Sequence, residues 1–125
     1  MPLPARHGRT ALRRTPMRRP GDSQAHLAFV RSLPCVVCGG KAEAHHLNRA
    51  VDGKPKGTGR KNEDRWAIPL CPQHHNGQRD SAHGHGDDEA WLASKGIQGR
   101  DLAMALWSHT GDPDMGLRII YRARK

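Results

Sequence analysis

Four residues in this sequence have the types and the spacing of a tetrahedral metal site. Cys35-x-x-Cys38 and Cys71-x-x-His74 each separate two ligands by two residues, so a tight turn can bring both onto one ion. The two knuckles are 32 residues apart and hold every cysteine of the chain. Zinc takes four ligands from Cys and His, and the pair of knuckles supplies that number. The first knuckle sits on the Gly-containing turn Cys35-Val-Val-Cys38-Gly39-Gly40. The second sits at a helix start, because Pro72 suits a first helical position. That combination predicts a treble-clef arrangement. The competing reading is three reduced cysteines packed as small hydrophobes without metal. It leaves the paired spacing unexplained.

Six of the nine histidines lie between residues 45 and 85. With His74 assigned to zinc, His45, His46, His75, His83 and His85 remain close to one small scaffold. His75 follows His74 directly, so it faces another direction and can point at the strand carrying His45 and His46. Neighbours on a strand point to opposite faces. For both to serve one site, the strand must end or bend, and Asn48-Arg49 leading into a Gly-rich loop allows that. Phosphodiester hydrolysis needs a divalent cation to polarise the phosphate and a base to activate water, the latter worth about 10²–10⁴-fold. Histidine can do either job near neutral pH. The bland alternatives are a satisfied His45–His46 pair, His75 as a plain helix residue, and His83 and His85 as solvated loop residues. His7, His26 and His109 read as incidental.

The elements that must position these residues are short. Asp22 or Ser23 can cap a helix running through Ala25 to Val30, and Pro34 ends it. An extended stretch covers Ala42 to Leu47. Residues 48–62 form a loop in which Arg49, Lys54, Lys56, Arg60 and Lys61 interleave with Gly53, Gly57 and Gly59, a composition suited to approaching phosphate. Trp66, Ile68 and Leu70 alternate like a strand with one buried face. Residues 79–86 read as a second Gly/His loop. Asp87, Asp88 and Glu89 open a helix through Trp91, Leu92 and Lys95, where acids complement the helix dipole, and Gly96 stops it. A further helix spans roughly Asp101 to His109. Leu117 to Tyr121 is apolar and short, and takes no assignment. The tryptophans read as core rather than stacking platforms.

Composition bounds the rest. The chain has 125 residues, of which 35% are hydrophobic and 4% aromatic. A domain of this size buries less than about 70% of its unfolded surface, so a poor core calls for a staple. Three cysteines cannot all pair within one chain, which favours a metal in a reducing, cytoplasmic setting over disulfides. No apolar run approaches the roughly 20 residues of a transmembrane helix, and no secretory signal is visible. The formal net charge is +9. Residues 1–22 hold six Arg, among them Arg13, Arg14, Arg18 and Arg19, against one Asp. They read as a disordered basic tail, either solvated with no specific role or contacting phosphate non-specifically with release of counterions. Its four prolines argue against a mitochondrial presequence. An anionic partner is expected, nucleic acid ahead of membrane.

The order Cys35-x-x-Cys38, His45-His46-Leu47 and Leu70-Cys71-x-x-His74-His75-Asn76 resembles the HNH endonucleases with a ββα-metal core and a structural zinc. The framing Phe29 to Cys35, Arg65 to Cys71 and Gly86 to Trp91 is similar to a narrower group, the phage recombination-enhancement (Ref-like) nucleases. The likeness covers about residues 25–107. It implies a small α+β fold: a treble-clef/ββα-metal core at about 33–86 within a domain at 23–125, flanking helices at about 87–122, and the tail at 1–22. It implies His46 as the general base and Cys35, Cys38, Cys71 and His74 as structural zinc ligands. It implies His45 and His75 as ligands of a catalytic Mg²⁺ or Mn²⁺, with Zn²⁺ as the alternative. It implies single-metal cleavage of DNA. For the narrower group it implies action with a recombinase filament on single-stranded DNA, in a bacterial or phage-infected cell.

Two positions depart from the family pattern. The Asn that such proteins place five residues before the second knuckle is Trp66 here, so either Asn62 or Asp64 substitutes for it or the loop of the base is held differently. The position four residues after His75 is Arg79, a cation that cannot bind a metal. His83 is the first choice for a third ligand and His85 the second, with Asp80 and Asn76 as oxygen alternatives. A non-catalytic zinc module binding nucleic acid is the main rival function, and a ribosomal or adaptor zinc protein a weaker one. Histidines 45, 46 and 75 discriminate, because a pure binder has no need of them.

Overall fold

A computed structural model describes residues 20–48 and 62–124. The tail residues Arg13, Arg14, Arg18 and Arg19 and the loop residues Arg49, Lys54, Lys56, Arg60 and Lys61 lie outside the described residues. Helix α1 spans Gln24–Ser32, and its cap is Ser23, whose hydroxyl accepts from His26 N. Asp22 serves elsewhere, since its Oδ1 accepts from Asp64 N at 3.1 Å. Gly21 O likewise accepts from Arg65 N at 2.9 Å. Gly21 and Asp22 therefore belong to the folded unit rather than to the tail. Helix α1 ends at Leu33, where the following proline disfavours helical geometry.

The chain then turns through the first knuckle. Gly39 adopts φ +82°, a left-handed conformation that costs glycine nothing. Strand β1 (Glu43–His46) pairs antiparallel with β2 (Ala67–Leu70), and His45 lies opposite Ile68. A 3₁₀ turn at Asp64–Trp66 leads into β2, so Trp66 precedes the strand rather than starting it. All four β2 residues are buried, against the expectation of one buried face. The reason is the layering: α1 packs on the two-stranded sheet, and α5 (Gly99–Trp107) packs on β2 as well.

Helix α2 (Pro72–Asn76) begins at the second knuckle with Cys71 as its cap. Residues expected as loop contain a short helix α3 (Ala82–His85), because Ser81 Oγ accepts from Gly84 N and supplies its start. Helix α4 (Asp88–Ala93) is capped by Asp87, stops two residues before Lys95, and buries Trp91 and Leu92. Helix α5 begins at Gly99, ahead of Asp101. The unassigned segment Leu117–Tyr121 lies within helix α6 (Pro113–Ala123), which Asp112 caps and Ile120 anchors in the core. A Cβ at Gly116 would come within 2.8 Å of Leu33 and 2.9 Å of Phe29, so glycine is what lets α6 reach α1. The core joins Val30, Leu47, Ile68, Leu92, Leu106 and Ile120. The architecture is a small mixed α/β fold with a two-stranded sheet and several helices. No described helix is long and apolar enough to cross a membrane.

His26 is a core residue, not an incidental one. It is fully buried, its Nδ1 lies 2.7 Å from Thr110 Oγ1, and its ring meets Trp107 edge-on at 4.9 Å. Burial lowers its pKa, with the Asp64 carboxylate pulling the other way. Protonation therefore favours the unfolded chain. The stability that neutral His26 permits is complete above the ordinary histidine value of about 6.5 and is lost as pH falls from there through the depressed folded value. The wild-type advantage over His26→Gln in urea unfolding should shrink between about pH 7.5 and about pH 5. A difference that does not change with pH would overturn this assignment.

Candidate functional site

The two knuckles converge. Cys38 Sγ lies 3.7 Å from Cys71 Sγ, and His74 Nδ1 lies 3.2 Å from Cys71 Sγ and 3.8 Å from Cys35 Sγ. With Zn–S near 2.3 Å and Zn–N near 2.05 Å, a regular tetrahedron has edges of about 3.8 Å (S···S) and about 3.6 Å (S···N). The four ligand atoms all lie within 4.8 Å of one another. They could hold a metal ion such as zinc. Backbone amides prepare the sulfurs: Val37 N donates to Cys35 Sγ and Gly40 N to Cys38 Sγ, both at 3.4 Å. Burial pushes the Cys35 thiol up, but the amides around it outweigh that and leave its pKa lowered, towards the thiolate a metal requires.

A second cluster is made of imidazoles alone. Ligand nitrogens of His45, His75 and His83 also lie within 4.8 Å of one another. The ring centroids are 5.0 Å apart for His45–His75, 5.3 Å for His45–His83 and 5.0 Å for His75–His83. The three rings come from β1, α2 and α3, so the short helix after the second knuckle is what carries His83 inward. His45 is fully buried, and its Nε2 is 2.8 Å from Asp88 Oδ2. Its Nδ1 is buried and has no hydrogen-bond partner among the described residues. A cation beside it would satisfy that nitrogen, so the residues fit a metal. Burial lowers the pKa of His45, Asp88 opposes this, and His75 and His83 add to the lowering. His75 Nδ1 lies 2.8 Å from Glu43 Oε1.

His46 borders the same concavity. A cavity of about 270 Å³ is lined by His45, His46, Asn48, His75, Asn76 and His83. His46 Nε2 lies 2.8 Å from Asp64 Oδ1, and the His46 side chain is 13% exposed. The other oxygen of Asp64 accepts from Ser23 N at 3.0 Å. Asn62 Nδ2 donates to Leu47 O. Two residues hold His46 in place: Asn62 ties down the backbone after it, and Asp64 takes its ring. Trp66 is core, as its type suggests.

Not every candidate joins the cluster. His85 lies outside it, and its Nδ1 accepts from Asp87 N at 3.4 Å. Asp80 is no ligand either: its Oδ1 is 3.0 Å from Trp91 Nε1 and 2.8 Å from Lys95 Nζ. The Asp80 backbone sits at φ +48°, in the left-handed region that Asp tolerates better than most residues. Glu43 and Asp88 are invisible as site residues in the sequence. Asp88 reads there as a helix-dipole acid, and its partner His45 is 43 residues away.

A family profile described as "Protein of unknown function (DUF968)" matches residues 7–109. The chain belongs to this family. All seven residues of the two clusters, and the His46–Asp64 pair, fall inside the family's match. The chain is also similar to the "Uncharacterized protein YdfU" of Escherichia coli (strain K12), with 37% identity over 62 residues. That alignment takes in 49% of this chain and 17% of YdfU, so the chain spans about a sixth of that relative. No solved structure matches the chain.

The Cys/His cluster generates a stability prediction. Metal-binding energy at such a site is folding energy, since the unfolded chain has no preformed site. Stripping metal with a strong chelator should abolish the cooperative thermal transition in calorimetry. An apo protein that unfolds cooperatively at an unchanged midpoint would overturn it.

Proposed function

We propose that this protein is a metal-dependent DNA endonuclease of the HNH type, with a structural zinc at Cys35, Cys38, Cys71 and His74. The observation that carries the reading is one cavity bordered by both a three-imidazole cluster and a histidine paired with a carboxylate. The chain order supports it too: β1, β2 and α2 form a ββα unit whose helix begins at the second knuckle.

The chemistry divides among the residues of the cavity. Held at Nε2 by the Asp64 carboxylate, neutral His46 carries its proton there and its lone pair on Nδ1. It withdraws a proton from the attacking water, and Asp64 stabilises the imidazolium that results. His45, His75 and His83 would hold a divalent cation, which supplies charge to polarise the phosphate and take the leaving oxyanion. Asn48 and Asn76 offer amides to the phosphate at the cavity rim. The basic residues Arg49, Lys54, Lys56, Arg60 and Lys61 follow Asn48 in the chain and would grip the flanking phosphates. Recombinase-coated single-stranded DNA is the partner substrate that the Ref-like resemblance nominates.

Purified protein should cut plasmid or single-stranded DNA with Mg²⁺ or Mn²⁺ and fail with chelator. His46→Ala should lower the rate about 10²–10⁴-fold, more than any loss of fold accounts for if the zinc-loaded variant still unfolds cooperatively above the assay temperature. If neither metal supports cleavage, even on a recombinase filament, the protein is a binding module rather than a nuclease. If His46→Ala cuts as well as wild type, His46 is not the base. Removing residues 1–19 takes away six arginines. The slope of log affinity against log salt should then flatten by up to about 0.9 for each lost phosphate contact. Equal slopes for full-length and truncated protein would mean that the arginines do not touch DNA.

A further inference from the structure

Two of the three clustered imidazoles are held by carboxylates on opposite nitrogens. Asp88 takes His45 at Nε2, whereas Glu43 takes His75 at Nδ1. The two rings therefore offer different atoms to the cluster, Nδ1 from His45 and Nε2 from His75. The carboxylates also differ in setting. Asp88 is fully buried, while the Glu43 side chain is 47% exposed. Asp88 Oδ2 has a second partner, Asn48 N at 2.8 Å, and a backbone amide can only donate. One buried oxygen thus accepts from the ring of His45 and from the main chain two residues after His46.

We infer that Asp88 is the positioning residue of the three-histidine site: it fixes His45 as the Nε2–H tautomer and so makes Nδ1 the metal-ligating atom. This rests on the reading of His45, His75 and His83 as a metal site and deepens it. Ligating histidines are commonly oriented by a carboxylate on the far nitrogen, and losing such a partner typically costs 10–100-fold in metal affinity. The bond to Asn48 adds a second constraint. A movement of Asp88 would shift the ring and the rim of the cavity together. Glu43 does the same for His75 from a solvated position, where water can replace it.

The test uses full-length protein with zinc already bound at the cysteine site. Co²⁺ is titrated into the second site and followed by calorimetry and by its visible absorption. Asp88→Asn, which keeps the shape and removes the charge, should weaken Co²⁺ binding about 10–100-fold. Glu43→Gln should weaken it only a few-fold. The thermal midpoint of the zinc-loaded Asp88→Asn protein reports any damage to the fold. A second measurement needs no Asp88 variant. Nitrogen-15 imidazole spectra of the wild type without Co²⁺ should show His45, assigned by its loss in His45→Gln, protonated at Nε2. In Asp88→Asn that signal should move to a mixture of tautomers. Three results would overturn the proposal: an Nδ1–H tautomer in the wild type, Co²⁺ affinity of Asp88→Asn within two-fold of wild type, or no Co²⁺ uptake by the wild type at the second site. Wild-type protein that binds Co²⁺ and shows the Nε2–H tautomer, yet cuts no DNA, would sink the nuclease reading and leave this one standing.

Discussion

The sulfur of Cys71 accepts from His74 N at 3.5 Å and lies 3.7 Å from Cys38 Sγ, so the end of β2 is tied to the knuckle that follows α1. Cys71 is also the cap of α2, which makes the helix start from the cluster itself. His74 turns inward to the thiols. His75, one residue on, must then face the side where β1 presents His45. The direction of the second cluster is thus a consequence of the first. With only 35% hydrophobic residues, the chain has little other means of holding a four-residue strand, a five-residue helix and a turn in fixed relation.

Around that frame, carboxylates and imidazoles come in pairs: Asp88 with His45, Asp64 with His46, Glu43 with His75. The pairs have different burial, and burial decides what each can do. The Asp88–His45 pair is shut away from water, and the second hydrogen bond from Asn48 N helps to offset the cost of burying it. The Asp64–His46 pair keeps a partly open side chain, which leaves its ring within reach of water. Glu43–His75 lies nearer solvent still, where a carboxylate contributes modestly to holding a ring.

The knuckles are legible in the sequence because metal ligation demands particular residue types at a particular spacing, and Cys35, Cys38, Cys71 and His74 satisfy it locally. His83 can be nominated because the stretch around it, Gly77 to Gly86, has the composition of a loop that can fold back. The helix that brings it in is not legible, since Ser81 and Gly84 have the character of loop residues until the hydroxyl is seen capping. Helix α6 escapes a reading centred on Leu117 to Tyr121, because its signals, Asp112 as cap and Pro113 at the first position, precede those apolar residues. His26 has no telling neighbours in sequence, and its partner Thr110 lies 84 residues away. Asp88 and Glu43 share that fate. Pairings between distant side chains depend on packing, and no periodicity encodes them.

Asn48 and Asn62 bracket the stretch between the strands. The first is fastened by its amide to Asp88, the second by its side chain to the Leu47 carbonyl. Both fastenings lie beside the histidines, so the two ends of the connection are fixed where they leave the site. Lengthening such a connection is cheap, about 0.6 kcal/mol for each doubling. A different number of residues between Asn48 and Asn62 would therefore leave both clamps available. On the proposed nuclease reading, the connection would be an exchangeable cassette, through which proteins sharing these two clamps could take different nucleic acids with the same histidines.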